Sequence, residues 1–393
     1  MKKNLLVITG LFPRSIDQSR RYVSYALVDI YAEMANHFNV RVVIPNRHFK
    51  IIGTSSNTNS ETAFCAESQI NGLYAYNIGI DKYPFFRYLK HDITRTSKSI
   101  EDYLNEIEFI PDIIITHMLE PNIKISVNLY KGENNHICRI HVFHNTDIQR
   151  MQEARKYYIC YLDGMDALCF RSYKLQKRIA YDKIGSDRIF FLISGVHQKD
   201  LINQDKIYSK IERPNRLFVT VSSLDNKNKN IDKIIKAFRC MDNANAQLMI
   251  IGDGRLRNRL EKYAGNADNI QFLGWQNRES VMNYLELADV FILISVKETL
   301  GLVYFEAMAK GCIVIGSIGE GIDGVIENGK NGFLVDPKNE ENVINILNRV
   351  RDIKYSEKKK VVFKALETAM SYSIEKRTEM YARFLNEMHE KTK

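Results

Sequence analysis

Several features of disulfide-rich, fibrous and disordered proteins are scarce in this 393-residue sequence. The chain has only 7 prolines, and its 6 cysteines are scattered without a Cys-x-x-Cys pair. Disulfide scaffolds and zinc sites need closely spaced cysteines, so we expect reduced thiols, as in a cytosolic protein. A content of 45% hydrophobic and 26% charged residues is that of a globular protein, and the length favours two domains.

Long hydrophobic runs are also absent, since none approaches the ~20 residues that a membrane-spanning helix requires. The apolar run Leu5 to Thr9 leads into Gly10 and Pro13. It is short, and no small-residue cleavage site follows it, so a first β-strand ending in a glycine turn explains it better than a signal peptide. We therefore expect a cytoplasmic protein.

Common nucleotide and metal motifs are missing as well. The sequence has no Walker A lysine, no Gly-x-Ser-x-Gly and no Asp-x-Asp. Gly319–Gly324 matches G-x-G-x-x-G, but the segment after it is too short for a dinucleotide-binding helix, which argues against a dehydrogenase. Cys138 and His144 lie on the opposite strand face from His141, so these three side chains do not form a metal site. We expect neither a metal nor a cofactor.

Positive charge is concentrated near the N-terminus. The net charge is +9, and residues 1–100 contain 13 Lys and Arg against 7 Asp and Glu. This bias favours an anionic partner, which is a nucleic acid, a phosphate-rich substrate or a membrane surface. Charge alone does not choose among them.

Strand-like and helical patterns alternate along the chain. In the second half, strands at 217–221, 247–251, 270–273, 290–294, 313–315 and 333–335 are separated by helical segments. This alternation predicts parallel, doubly wound α/β sheets. We place domains at 1–200 and 217–370, a polar linker at 201–216 and a last helix at 371–393.

Two glutamates flank a predicted helix start after the strand at 290–294. Glu298 lies in the turn, and Glu306 lies in the second turn of a helix that begins near Leu300 or Gly301. The free N–H groups between them stabilise an anion, and Gly301 allows close approach to the backbone. The alternative is a solvated surface helix with two unrelated glutamates.

The surrounding motifs decide between these interpretations. Their order and spacing resemble the C-terminal domain of retaining family 4 glycosyltransferases (glycosyl transferases group 1) over about residues 217–350. The resemblance implies a GT-B fold, in which two Rossmann-like doubly wound domains face each other across a cleft and the C-terminal helix packs back on the N-terminal domain. The motifs that carry it are Val221–Leu224, Lys229–Asp232, Ile250–Leu256, Phe272–Gly274, Ala288–Val290, the paired glutamates, Ala307–Gly311, Gly319–Gly324 and Gly332–Val335.

The resemblance also implies roles for individual residues. Glu306 would bind ribose hydroxyls, Glu298 a hydroxyl of the donor sugar, and Lys229 the diphosphate. Lys229 and Glu298 would act in catalysis, together with His144 as a candidate contact to the donor; the alternative for His144 is a satisfied histidine at a strand end. The remaining donor-binding positions would be Gly252, Trp275, Gln276, Thr299, Leu300, Gly301 and Leu302.

Two departures from the family pattern concern the phosphates. Ser223 stands where the family usually has Arg, and Ser19-Arg20-Arg21 replaces the usual paired glycines. We assign Gly10, Arg20 and Arg21 to an acceptor or phosphate loop. Its basic side chains are one replacement for the missing cation, and Lys227 is the other. Otherwise the donor binds more weakly.

The resemblance implies metal-independent transfer of a hexose-type sugar from a nucleoside-diphosphate sugar to an acceptor hydroxyl, with retention. The expected acceptor is a glycan or lipid-linked glycan in cell-surface polysaccharide or glycolipid assembly. Two other functions stay open, a nucleotide-sugar 2-epimerase and a non-catalytic nucleotide-sugar sensor. We expect no nucleic-acid partner. The basic, aromatic segment 82–98 predicts either peripheral contact with the anionic inner face of the cell membrane or an ordinary surface loop.

Overall fold

The computed structural model describes residues 2–14, 24–49, 66–82, 88–132, 136–181, 183–241 and 245–393. Arg20, Arg21 and positions 83–87 of the predicted membrane segment lie outside these residues. The chain forms two compact units. The first comprises Met1–Arg171, Leu175–Leu192 and Thr378–Lys393, and the second comprises Ser172–Lys174 and Ile193–Arg377.

Helices and strands alternate through both units. Up to residue 191 the elements are β1 (Asn4–Ile8), α1 (Tyr25–Met34), β2 (Asn39–Phe49), β3 (Ala66–Ile70), β4 (Leu73–Lys82), α2 (Lys90–Glu106), β5 (Ile113–His117), α3 (Lys124–Asn128), β6 (Cys138–Phe143), α4 (Asn145–Leu162), β7 (Ala167–Phe170), α5 (Tyr173–Ile179) and β8 (Ile189–Phe191). The rest are α6 (Gln204–Glu212), β9 (Leu217–Val221), α7 (Ile231–Cys240), β10 (Gln247–Ile251), α8 (Arg257–Ala264), β11 (Ile270–Gly274), α9 (Arg278–Leu287), β12 (Val290–Ile292), α10 (Leu302–Ala309), β13 (Ile313–Ser317), β14 (Phe333–Val335), α11 (Glu340–Arg351), α12 (Tyr355–Ser371) and α13 (Ile374–Thr392).

An eight-stranded sheet forms the centre of the first unit, in the order β3-β4-β2-β1-β5-β6-β7-β8. Its strand pairs are parallel except for β3 and β4, which are antiparallel. Every residue of β5 is buried, as expected for a strand covered on both faces of its sheet. On one face Leu27 packs in the same core cluster as Tyr381 and Leu385; on the other, Ile100 and Ile125 form a separate cluster.

A six-stranded parallel sheet forms the centre of the second unit, in the order β11-β10-β9-β12-β13-β14. The chain runs outward from β9 in one direction and from β12 in the other, so the strand order reverses between them. Ligands of such sheets bind beyond the carboxyl ends of the strands at this reversal. The predicted doubly wound α/β class is confirmed, with β3 as an antiparallel strand that the sequence analysis did not predict.

The predicted linker at 201–216 contains a helix instead. Ile207 and Ile211 of α6 lie four residues apart on one helical face, and both are buried in the core of the second unit. Asn203 begins this helix, because its side chain accepts a hydrogen bond from the Lys206 N–H at 2.9 Å. The main segment of the second unit thus begins at Ile193, upstream of the residue 217 predicted from the sequence.

The C-terminal helix α13 contributes to the first unit, to which residues Thr378–Lys393 belong. Tyr381, Leu385 and Met388 of this helix are almost fully buried, and each such side chain stabilises the fold by about 1.5–3 kcal/mol through burial. Among the helices of the described residues, none is both long enough and apolar enough to cross a membrane.

Candidate functional site

The predicted donor-binding residues of the second unit follow the carboxyl ends of neighbouring parallel strands. Lys229 comes after β9, Gly252 after β10, Trp275 after β11 and Glu298 after β12. Glu306 lies in α10, the helix that follows Glu298. Because the carboxyl ends of parallel strands share one edge of a sheet, the structure brings these residues to the same edge.

Lys229 and Glu298 meet where the strand order reverses. The Lys229 Nζ and Glu298 Oε2 atoms are 2.5 Å apart, and the Ser295 hydroxyl donates to the same carboxylate oxygen at 3.3 Å. Asn230 adopts a left-handed conformation, and its side-chain amide donates to the Ile294 carbonyl at 2.7 Å. A backbone hydrogen bond from the Val296 N–H to the Asn228 carbonyl at 2.7 Å adds to these contacts, so two hydrogen bonds and one partly exposed ion pair join the loops after β9 and β12.

Helix α10 starts within the turn that carries Glu298, as the sequence analysis predicted. Gly301 precedes its first residue with a φ of +79°, and a Cβ there would lie 2.6 Å from the Tyr304 ring. The Tyr304 hydroxyl donates to the Leu293 carbonyl, which ties the helix to the end of β12. The Tyr304 N–H donates to the Gly301 carbonyl at 3.1 Å, and the first N–H groups of any α-helix lie at its positive dipole end. This end is suited to an anion.

The glycine-rich segment Gly319–Gly324 supports this turn. A Cβ on Gly321 would lie 1.9 Å from the Thr299 carbonyl oxygen, so the two backbones are in direct contact. The Glu320 carboxylate accepts a hydrogen bond from the Glu298 N–H at 2.9 Å. The sequence analysis excluded a dinucleotide motif here but did not identify Glu320; the run of glycines was the available signal for a close backbone approach.

Glu306 is held by an arginine that the sequence analysis also missed. Arg278 Nε donates to Glu306 Oε1 at 3.2 Å, and Arg278 Nη2 donates to Asp200 at 2.7 Å. Asn277 caps α9 by accepting from the Ser280 N–H at 2.8 Å, which places Arg278 at the helix start. Asp200 and Glu306 are far apart in sequence, so no local pattern reveals this contact.

The other predicted donor positions differ in how firmly they are held. Gly252 has a φ of +138°, and a Cβ there would lie 1.8 Å from the Ser222 carbonyl oxygen, so only glycine fits. Trp275 is 66% exposed, whereas the Gln276 amide donates to the Leu273 carbonyl at 2.9 Å. Ser223 donates to Asp225 at 2.9 Å; no cation stands at this position.

His144 belongs to a chain of hydrogen bonds in the first unit. Its Nε2 lies 3.0 Å from His117 Nδ1, and His117 Nε2 lies 2.5 Å from the Tyr31 hydroxyl. The backbone N–H of His144 donates to the Asp147 carboxylate at 2.8 Å, which fixes the start of α4. Burial, with smaller contributions from Arg171 and His141, lowers the pKa of His144 to about 3. His144 is therefore neutral at physiological pH and acts as a hydrogen-bonding group.

Two further predictions concern the phosphate loop and metals. Gly10 is exposed two positions after the last residue of β1, at the carboxyl end of that strand, while Arg20 and Arg21 lie outside the described residues. Within the part of the chain that the structure describes, no group of three or more His, Cys, Asp or Glu side chains could hold a metal ion.

Comparison with known proteins identifies the family of the second unit. Residues 203–364 match the model of the family described as glycosyl transferases group 1. The chain carries a glycosyl transferases group 1 domain. The resemblance inferred from the motifs is confirmed, and the matched segment extends beyond 217–350 to include α6.

Individual relatives extend this comparison. The chain is 25% identical to N-acetyl-alpha-D-glucosaminyl L-malate synthase of Bacillus anthracis over 67% of this chain and 71% of that enzyme. It is 36% identical to UDP-Gal:alpha-D-GlcNAc-diphosphoundecaprenol alpha-1,3-galactosyltransferase of Escherichia coli, over 27% of this chain and 28% of that enzyme. Sucrose-phosphate synthase of Thermosynechococcus elongatus superposes with a TM-score of 0.70 at 16% identity, covering 98% of this chain and 99% of that chain. This similarity supports the GT-B fold.

Proposed function

We propose that this glycosyltransferase moves a hexose-type sugar from a nucleoside-diphosphate sugar to an acceptor hydroxyl, with retention of anomeric configuration. The observation that carries the proposal is the Lys229–Glu298 pair at the reversal of strand order, beside the N-terminus of α10. A cation, the N-terminal amides of α10 and a carboxylate at one sheet edge match the diphosphate and the hydroxyls of such a donor.

Each group of the donor has a counterpart at this edge. Lys229 and the first-turn amides of α10 bind the diphosphate, and Glu298 accepts from a sugar hydroxyl. Arg278 orients the Glu306 carboxylate toward the ribose hydroxyls. The base lies along Trp275 and Gln276, after β11. Ser223 adds no charge to the diphosphate, so Lys229 is the main cation for it among the described residues.

Catalysis then consists of positioning the donor and stabilising the leaving group. The acceptor oxygen attacks the anomeric carbon from the face that the diphosphate leaves, and the departing diphosphate takes the acceptor proton. No protein base and no metal ion are required for this step. Preorganised donors that stabilise developing charge contribute about 10²–10³ in rate each, so Lys229 and the α10 amides supply most of the effect.

The acceptor is a glycan or a lipid-linked glycan, used in polysaccharide or glycolipid assembly at the cytoplasmic face of the membrane. The Escherichia coli relative is named for a UDP-sugar donor and a diphosphoundecaprenol-linked acceptor, which supports this class. In the segment 82–98, Lys90 and Lys98 are exposed and available to an anionic surface, whereas Arg95 is engaged with Asp81 at 2.8 Å.

Thermal-shift screening with UDP-, GDP- and ADP-sugars tests donor binding, because a ligand that binds only the folded state raises the unfolding temperature. One class of sugar nucleotide should stabilise the wild type, and Glu306→Ala should abolish that shift. Glu367→Ala, a change on an exposed face of α12, should leave the thermal shift unchanged. A shift that survives Glu306→Ala contradicts the assigned site. Product analysis with and without acceptor then separates transfer from epimerisation of the donor.

A further inference from the structure

Three cationic side chains reach the carboxyl edge of the first sheet from different elements. Arg47 lies near the end of β2, and Lys82 is the last residue of β4. Arg47 pairs with Ile80 in the parallel register of these strands, so Arg47 and Lys82 extend from the same face. Arg150 lies in the second turn of α4, the helix that follows β6. We refer to Arg47, Lys82 and Arg150 as the basic cluster.

The cluster converges on the segment after β5. Arg47 Nη2 and Arg150 Nη1 each lie 3.3 Å from the Glu120 carbonyl oxygen, so both guanidinium groups share one acceptor. The Lys82 ammonium lies 6.0 Å from the centre of the Tyr88 ring. Burial and the charges of Arg47 and Arg150 lower the pKa of Lys82, which is the electrostatic sign of cations held close together.

The Glu120 carboxylate lies beside the cluster. Its Oε1 is 2.8 Å from Lys124 in a buried pair. Its other oxygen is 3.8 Å from Arg150. Asp81, at the end of β4, pairs with Arg95 at 2.8 Å. Lys124 and Arg150 thus contact the Glu120 carboxylate, and Arg47 contacts the Glu120 carbonyl oxygen.

We propose that the basic cluster binds a phosphate group carried by the acceptor. This inference rests on the proposed function, because it assigns the acceptor site of the same enzyme. Arginine guanidinium groups match phosphate oxygens in geometry, and such charge-assisted hydrogen bonds are the strong ones. The cluster lies at the sheet edge where α/β units bind ligands, and Arg150 is six residues after His144 on the same segment.

Inorganic phosphate and glycerol 3-phosphate, titrated into the full-length protein by calorimetry, test the cluster without any sugar nucleotide. We expect saturable binding that Lys82→Gln, Arg150→Gln and Arg47→Gln each weaken at least tenfold. Arg47 is exposed, so its variant should fold even if the others do not. Lys156→Gln, an exposed site on α4, should leave binding unchanged.

The remaining outcomes either overturn the phosphate proposal or identify the source of the phosphate. Loss of phosphate binding in Lys229→Met alone, equal binding of malonate, or no binding by the wild type each overturns the proposal. Vesicles containing phosphatidylglycerol, compared with phosphatidylcholine vesicles, identify the source of the phosphate. Cluster-dependent binding to the anionic vesicles supports a lipid phosphate, and binding of the small phosphates alone supports a soluble acceptor. The proposed function fails separately if no sugar nucleotide raises the unfolding temperature of the wild type.

Discussion

The Lys229 ammonium lies 2.5 Å from the Glu298 carboxylate, although the two residues are 69 positions apart in the sequence. Both side chains are partly exposed, so a ligand can reach the pair. Each charge satisfies the other. Under the proposed function, an entering donor would replace this contact, since its diphosphate would attract Lys229 and its sugar hydroxyl would donate to Glu298.

Removing the ammonium should weaken the reaction more than removing a surface charge. Lys229→Met should lower kcat/KM for the donor by about 10²–10³, because the developing charge on the diphosphate loses a preorganised cation. Steady-state kinetics with the sugar nucleotide found by thermal shift measures this. Lys236→Met removes a lysine paired with Glu340 on the surface and should leave kcat/KM within twofold; equal losses in both variants would refute the role of Lys229.

The sequence was sufficient to place the proposed donor-binding residues at one sheet edge because its signals are local. A buried strand, a turn containing Gly301 and a helix rich in apolar residues determine where Glu298 and Glu306 lie. Their partners Arg278, Asp200 and Glu320 come from other segments, and only tertiary packing brings them together. Sequence reasoning therefore predicted the residues proposed to touch the donor but not those that orient them.

Two misassigned or missed elements have different physical causes. Helix α6 has only Ile207 and Ile211 as buried apolar residues, too few to show helical periodicity among its charged neighbours. The β3–β4 hairpin, by contrast, has a clear local signal. Asn71 and Gly72 both have positive φ values, and Asn-Gly is the preferred pair for a tight hairpin turn.

The contact between Gly321 and Thr299 predicts a second effect on donor binding. Gly321→Ala should displace the Thr299 carbonyl, which lies 1.9 Å from the added Cβ position, and with it the start of α10. We expect donor affinity to fall at least tenfold in calorimetry. Gly319→Ala is the control in the same segment, because no atom lies within 4 Å of its Cβ position. Its φ of +79° makes it mildly destabilising, but it should retain donor affinity; similar affinity losses would refute the steric argument.

The low pKa of His144 predicts a loss of stability in acid. Burial lowers the pKa of this side chain from 6.5 to about 3, so between these values the unfolded chain binds a proton that the folded chain does not. The contribution of His144 to the free energy of unfolding is therefore fully retained above about pH 6.5, and it decreases as the pH falls below that value. Urea unfolding at pH 7 and pH 5 should show a smaller pH dependence in His144→Gln.

Exposed His37 provides the comparison for that experiment, and His37→Gln should keep the wild-type pH dependence. The pH dependence of the reaction rate is a second test, because a neutral His144 contributes no inflection to the rate between pH 6 and pH 8. An inflection in that range that disappears in His144→Gln would show that the side chain titrates there and would contradict the burial argument.

Lys358 holds helix α6 in the core of the second unit. Its ammonium, buried in α12, donates to the Lys210 carbonyl at 2.6 Å and to the Arg213 carbonyl at 2.7 Å. Lys358→Met keeps the side-chain volume but leaves these carbonyls without a donor, which should lower the free energy of unfolding by about 1–3 kcal/mol. Urea denaturation measures the change, with exposed Lys360→Met as the control on the same helix.

The pH dependence of stability gives the Lys358 prediction a second test. Burial lowers the pKa of Lys358 from 10.5 to about 8. Between these two pH values the unfolded chain therefore binds more protons than the folded chain, and the contribution of Lys358 to the free energy of unfolding of the wild type increases as the pH rises. Lys358→Met should remove that gain, whereas Lys360→Met should keep it. If both variants lose the same stability and keep the same slope, the buried ammonium does not anchor α6, and the helix is held by Ile207 and Ile211 alone.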